Sequence, residues 1–227
     1  MQYFKDDFLN FFYLLSQNNN RDWFNQNRKM YEQEVREPFK VFVGDLVKAI
    51  REEMEPDFEL LPKDAIFRIN RDIRFSADKT PYKEHVGAII TPGGRKAKEE
   101  PGHYIQLSGG SLVIGGGAYF MEKESLYNLR KHLIINGKQF DSLLAEKGFK
   151  KKYGEIMGKK NKRLPKELMV HVEENPLILN KQFYYMAELS PKKIVSKKLL
   201  PLVMQYFKAA HPINQFLKNG MHPPSSP

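Results

Sequence analysis

Five basic side chains and two acidic ones lie within sixteen consecutive residues of the chain. They are Arg68, Arg71, Asp72, Arg74, Asp78, Lys79 and Lys83. Guanidinium groups match phosphate and carboxylate oxygens through paired hydrogen bonds, and lysines add compact positive charges. The excess of positive charge predicts a pocket that binds an anionic ligand through the five basic residues, with the two aspartates orienting them.

Alternation of polar and apolar residues predicts that residues 65–75 form a β-strand, whose side chains point to opposite faces in turn. Arg68, Asp72 and Arg74 fall on one polar face, together with an amide. Same-face neighbours on a strand are about 7 Å apart, so Asp72 is expected to lie between the two arginines and hold both. The opposite, core-facing set is apolar with one exception, and consists of Ala65, Phe67, Ile69, Arg71, Ile73 and Phe75.

A turn is expected after this strand, because Asp78 and Pro81 are turn-forming residues. Such a turn would bring Lys79 and Lys83 back to the arginines and complete the anion pocket. The alternative is an ion-pair network that satisfies itself on the protein surface, which is the usual fate of clustered charges.

Three residues of the same segment are candidates for acid or base chemistry, namely Asp72, Asp78 and Tyr82. No catalytic triad accompanies them, the six histidines show no metal-ligand spacing, and the chain has no cysteine. The catalytic residues and the reaction therefore stay unknown, and no metal or cofactor is predicted.

Three consecutive glycines, Gly115–Gly117, interrupt a stretch that otherwise reads as a strand. Glycine inside a strand sacrifices packing and entropy, which indicates that something approaches the backbone closely. A ligand lying against Gly116 is one explanation. A β-bulge or a helix that crosses the sheet is the other.

The remaining pattern predicts an α+β fold: an antiparallel sheet of about four or more strands, with N-terminal and C-terminal helices packed on it. Helical spacing dominates the first third, where Asn20 and Pro38 mark helix starts, and returns after Glu122. Strands are expected at 65–75, 85–90, 103–108 and 111–120, joined by loops too short for helical crossovers. Residues 170–189 are left unassigned. A single domain over residues 1–220 and a disordered tail at 221–227 are expected.

The net charge of +10 over 227 residues raises the question of nucleic-acid binding. Residues 147–166 hold nine Lys or Arg against one acid, and so carry +8 of that charge. The basic character is therefore local, and no recognisable nucleic-acid-binding motif accompanies it. Neither a signal peptide nor an apolar run long enough to span a membrane is found, so a cytoplasmic protein is expected.

Three segments together resemble a known family: "NNNRDWFNQNRKMYE", "FRINRDIRFSADKTPYKEHVGA" and "GHYIQLSGGSLVIGGGAYF". In this order they are similar to the domain of unknown function 2461 family, DUF2461, across most of residues 8–217. The resemblance implies one domain that spans nearly the whole chain and a bacterial protein. The family's most distinctive motif matches residues 71–83, whereas 147–185 matches poorly. No activity is implied, because the family has none assigned.

Three functions therefore stay open. The first is binding of a phosphorylated or otherwise anionic small ligand, with or without catalysis, through Arg68, Arg71, Arg74, Lys79, Lys83 and Gly116. The second is nucleic-acid binding through the basic stretch 147–166. The third is a structural or interaction protein in which the Arg/Asp motif is an ion network that defines the fold. Oligomeric state cannot be read from the sequence.

Overall fold

The computed structural model describes residues 1–223 of the chain. Its strands are β1 (His85–Ile90), β2 (Gly102–Ser108), β3 (Leu112–Ala118) and β4 (Phe183–Leu189). Its α-helices are α1 (Asp6–Gln17), α2 (Arg21–Gln26), α3 (Arg28–Met30), α4 (Glu37–Glu53), α5 (Pro62–Ala65), α6 (Lys123–Ala145), α7 (Lys147–Tyr153), α8 (Lys166–Met169) and α9 (Leu199–Met221). Short 3-10 helices occupy Gly94–Lys96, Pro176–Leu179 and Pro191–Lys193. No described helix has both the length and the apolar character needed to cross a membrane.

Asn20 begins α2 as the sequence predicts, whereas Pro38 lies in a helix that is already continuous from α3. The Asn20 side chain caps α2 by accepting a hydrogen bond from the Trp23 N–H at 2.9 Å. A π-helical turn, Tyr31–Arg36, joins α3 to α4 without a break. Pro38 lies just beyond this turn, and a proline ring clashes with the carbonyl four residues earlier in a regular α-helix. The wider π-turn gives that carbonyl room, so the helix continues instead of restarting.

The four strands form one antiparallel sheet in the order β1-β2-β3-β4, which confirms the α+β prediction. Three of them match the predicted strands, whereas β4 comes from the region that the sequence left unassigned. Residues 65–75 were predicted as a strand and are not a regular one. They pair through two isolated bridges, from Ile66 to Ala88 in β1 and from Asn70 to Tyr82 ahead of β1.

Burial along this irregular segment follows the predicted alternation as far as Arg74 and then fails. Ile69 is buried and Arg68 is exposed, as the pattern predicts. Phe75 was assigned to the apolar core face, and this was wrong, because its side chain is 95% exposed. The chain leaves the extended conformation at a turn over 74–75, which carries Phe75 out to solvent.

Two compact units make up the described chain. Unit 1 comprises residues 1–96, 104–114 and 188–205, and unit 2 comprises 97–103, 115–187 and 206 to the end of the described residues. Unit 1 has an aromatic core in its N-terminal helices, where Phe4, Phe8, Phe12 and Phe42 contact one another. Unit 2 is built around a separate apolar cluster of α6, α7, β4 and the second half of α9. The predicted tail begins at the last residue of α9, and residues 224–227 lie outside the described part.

Candidate functional site

The loop that follows Asn70 is closed by hydrogen bonds among its own side chains. The Arg71 guanidinium donates from Nη1 to both Asp78 Oδ2 and Thr80 Oγ1. Thr80 in turn donates to Asp78 Oδ1 from its backbone N–H and from its hydroxyl, each at 2.9 Å. Lys79 Nζ donates to the Ile73 carbonyl at 2.9 Å. Arg71 and Lys79 therefore hold the loop together.

Arg74 is also occupied by an ion pair. Its Nε and Nη2 donate to Asp72 Oδ1 and Oδ2 at 3.0 and 2.7 Å. The sequence predicted that Asp72 would hold both Arg68 and Arg74, but the hydrogen bonds go to Arg74 alone. These bonds are the main reason that the pKa of Asp72 falls to about 2. Hydrogen bonds from Thr80 and Arg71 lower the pKa of Asp78 to about 2 in the same way.

Neither aspartate is suited to act as a general base near neutral pH, because a base works best with a pKa close to the working pH. The third catalytic candidate, Tyr82, is buried in unit 1. Its ring stacks on Phe24 with centroids 3.9 Å apart, and the Asn19 side chain hydrogen-bonds its backbone N–H and C=O. Tyr82 therefore anchors the base of the loop to the N-terminal helices.

Three further cations act on one another at the base of the loop, because the charges of Arg68 and Arg95 both lower the pKa of Lys83. We call these three residues the cation cluster. Lys83 Nζ donates to the Arg68 carbonyl at 2.9 Å. Arg95 donates from Nε and Nη2 to the carbonyls of Asp64 and Lys63, at the end of α5, at 3.1 and 2.9 Å.

No member of the cation cluster has an ion pair with a carboxylate among residues 1–223. Burial lowers the pKa of Lys83, and the positive charges of Arg68 and Arg95 lower it further. Burial and the charge of Lys83 also lower the pKa of His85, the first residue of β1. Like charges therefore repel one another in the cluster, and a bound anion would offset this repulsion.

Two partly exposed aromatic rings border the cation cluster. Lys83 Nζ lies 5.5 Å from the centroid of the Phe67 ring, and that ring lies 6.5 Å from the ring of Tyr104. The Tyr104 hydroxyl donates to Gln106 Oε1 at 2.8 Å, and burial raises the pKa of Tyr104 to about 12. The tyrosine is therefore neutral at physiological pH and adds no negative charge beside the cations.

An open cavity of about 350 Å³ lies beside α5, and none of the predicted site residues lines it. Its walls are formed by Glu59, Leu60, Leu61, Asp64, Gly93 and Lys96. Arg95 adjoins this cavity, because it follows Gly94 and is hydrogen-bonded to the Asp64 carbonyl. Within residues 1–223, no group of three or more His, Asp or Glu side chains is gathered closely enough to hold a metal ion.

The chain's own atoms occupy the space beside the triple glycine. A Cβ atom on Gly116 would stand 2.6 Å from the Tyr185 hydroxyl and would also collide with the Gly102 carbonyl oxygen. Gly117 has φ +102°, a conformation that side chains rarely adopt. Close packing of β2 and β4 on β3 therefore accounts for these glycines, and ligand contact at Gly116 stays a prediction.

The model of one protein family, described as "Conserved hypothetical protein (DUF2461)", matches residues 7–216 of the chain. The chain belongs to the DUF2461 family. A search of curated proteins found no match. This membership confirms the resemblance seen in the sequence, and the family description names no activity.

In this DUF2461 protein, the structure brings two of the five predicted basic residues, Arg68 and Lys83, into the cation cluster. Arg95 was missed by the sequence analysis. The signal available for it was the "PGGR" turn, in which Gly94 takes φ +56° and packs against the Asp64 carbonyl. A turn of that kind fixes the backbone before Arg95 and so directs its side chain to the end of α5.

Proposed function

We propose that this DUF2461 protein binds a small phosphorylated or carboxylated ligand at the cation cluster of Arg68, Lys83 and Arg95. Lys83 and Arg95 donate only to backbone carbonyl groups, and the charges of Arg68 and Arg95 both act on Lys83, which is the observation on which the proposal rests. A carbonyl group carries no net charge, so these bonds fix the side chains in place without neutralising them. An anionic ligand would do so, through charge-assisted hydrogen bonds that are about twice as strong as neutral ones.

The aromatic border supports a ligand with an apolar part. Phe67 and Tyr104 are half-buried, and Tyr104 keeps a neutral hydroxyl at neutral pH. Small-molecule sites are usually lined by apolar and aromatic side chains with a few polar groups that fix orientation. The combination favours an organic anion over inorganic phosphate alone.

A structural role is supported for the other half of the motif. Arg71 forms an ion pair with Asp78, and Arg74 forms one with Asp72. These two pairs give the loop a fixed shape. The loop therefore fits the third function considered from the sequence, an ion network. The residues at its base fit the first function, binding of an anionic ligand.

Isothermal titration with pyrophosphate and with a panel of phosphorylated metabolites tests the proposal. Lys83→Gln and Arg95→Gln each remove a charge-assisted hydrogen bond, which is typically about 1.5–3 kcal/mol, and should weaken binding by roughly tenfold or more. Lys79→Gln is the matched control, since Lys79 is held within the loop and its charge is not among those that act on Lys83. It should change the affinity by less than about twofold. Equal losses in all three variants, or no binding of any anion by the unmodified protein, would overturn the proposal.

A further inference from the structure

The basic run at 147–166 divides into two pieces of different structure in unit 2. Its first part forms helix α7, which ends at Tyr153. Its second part, from Lys159 to Arg163, pairs with the chain just before β4 through residues 159–161. The two pieces can therefore be tested separately.

Backbone hydrogen bonds in the second piece place two lysines opposite each other. The Lys181 N–H donates to the Lys159 carbonyl at 2.7 Å, and the Asn161 N–H donates to the Leu179 carbonyl at 2.8 Å. Both lysines are exposed. Like charges placed directly opposite on paired strands destabilise the pairing. An arrangement that costs stability in this way is maintained more readily if an anionic partner offsets the repulsion.

A buried arginine holds this pairing in place from the inside. Arg130 on α6 is 6% exposed and donates from Nε to the Ile178 carbonyl at 2.8 Å. Its Nη2 donates to the Asn180 carbonyl at 3.0 Å. Both acceptors are uncharged backbone groups, so Arg130 orders the segment that carries Lys181 without neutralising it.

Five exposed cations form what we call the basic edge. None of them has an ion pair with a carboxylate in the part of the chain that the structure describes. Lysines on an edge strand also discourage sheet-to-sheet aggregation, which is the plainer explanation for one or two of them. The members of the basic edge are Lys159, Lys160, Lys162, Arg163 and Lys181.

Two aromatic rings from elsewhere in the sequence are connected to the basic edge through Met157, and one of them is exposed. The Met157 N–H donates to the Tyr184 carbonyl at 2.7 Å, and Met157 is two residues, or roughly 7 Å, from Lys159. The Tyr184 ring contacts the ring of Tyr119 with centroids 5.3 Å apart. Tyr119 is 65% exposed, so its ring is open to a planar partner.

We propose that the basic edge and Tyr119 bind single-stranded nucleic acid. A row of unpaired cations fits a phosphate backbone, and an exposed tyrosine gives an unpaired base a surface to stack on. Bases in a duplex are stacked on each other and are not available to such a ring. This site lies within unit 2, so it stands or fails separately from the cation cluster of unit 1.

Fluorescence anisotropy with labelled single-stranded DNA and RNA of about 12 nucleotides tests this inference, since binding modules of this kind cover about 4–16 nucleotides. The double variant Lys159→Gln/Lys181→Gln removes two phosphate contacts. It should reduce the slope of log affinity against log salt concentration by about 1.4. Lys150→Gln/Lys151→Gln, on α7, removes the same charge and should leave the slope nearly unchanged. Tyr119→Ala should weaken binding by about fivefold or more at constant salt.

Four outcomes would overturn the inference. These are no binding at about 50 mM salt, equal effects of the two double variants, tighter binding of a duplex of the same length, or binding to phosphatidylserine vesicles without binding to oligonucleotides. All five substituted side chains are partly or fully exposed, and far-UV circular dichroism of each variant confirms that any loss of binding occurs in a folded protein.

Discussion

Acidification should destabilise this protein through one buried histidine. His103 is 5% exposed and stacks on Phe207 with ring centroids 4.1 Å apart. Its Nδ1 faces the Asn214 amide at 3.5 Å, and the Asn214 Oδ1 accepts a hydrogen bond from the Tyr185 hydroxyl at 2.8 Å. With Oδ1 used in this way, the amide N–H₂ group faces the imidazole, which can accept from it only in the neutral form. A protonated ring would instead present a donor to a donor.

The size of the effect follows from the pKa of His103. Burial, with a smaller contribution from His211, lowers this pKa from 6.5 to about 3 in the folded protein. The unfolded chain therefore binds a proton between pH 6.5 and 3 while the folded chain does not. The stability that the neutral His103 contributes is fully present above pH 6.5 and is lost as the pH falls below that value. At about pH 5 the loss is about 2 kcal/mol, at 1.36 kcal/mol for each pH unit below 6.5.

Urea unfolding at about pH 7.5 and about pH 5 measures this loss. His103→Gln keeps a polar side chain but cannot be protonated, so its free energy of unfolding should fall by about 2 kcal/mol less between the two pH values than that of the unmodified protein. His171→Gln, which removes a histidine from a partly exposed turn, is the matched control. The reasoning is refuted if His103→Gln loses as much stability on acidification as the unmodified protein does. Asp72 and Asp78 do not interfere, since they titrate below this range.

Three further substitutions test the packing, and two of them have a matched control. Arg130→Met leaves two buried carbonyl groups without donors and should lower the free energy of unfolding by about 3 kcal/mol in urea titrations, whereas Arg163→Met, at an exposed position, should change it by less than about 0.5 kcal/mol. Gly116→Ala should cost about 1–3 kcal/mol because its Cβ has no room, while Gly148→Ala meets only an ordinary contact at 3.7 Å and should cost nothing. Phe75→Ser should leave the thermal midpoint unchanged, because the ring is exposed. A large loss at Phe75, or none at Arg130 or Gly116, would contradict these contacts.

Alternation of buried and more exposed residues helped to predict the sheet, although the same alternation at 65–75 did not produce a regular strand. β2 shows this alternation, and its strand was found from the sequence. β4 was missed because Tyr184 and Met186 lie on its more exposed face beside buried Phe183 and Tyr185. With apolar residues on both faces the period of two disappears, and only tertiary packing distinguishes such a segment from a helix.

The segment that carries the site could be predicted from the sequence, but the pairing of its charges could not, because that pairing depends on how the loop closes. Family motif and charge density located the segment, but side chains seven residues apart, such as Arg71 and Asp78, neutralise each other only once the loop has closed. Which cations stay unpaired depends on that closure. Arg95 is held by backbone carbonyl groups of α5, about thirty residues away in sequence, and no local pattern encodes that contact.

Arginine side-chain NMR during a titration with pyrophosphate tests the anion site most directly. The Nε–H resonances of Arg68 and Arg95 should shift together and saturate, because both guanidinium groups belong to the cation cluster. Those of Arg71 and Arg74 should stay in place, since both are bound to aspartates within the loop. Shifts confined to Arg71 and Arg74, or no shift at Arg68 and Arg95 at saturating pyrophosphate, would contradict the assignment of the site.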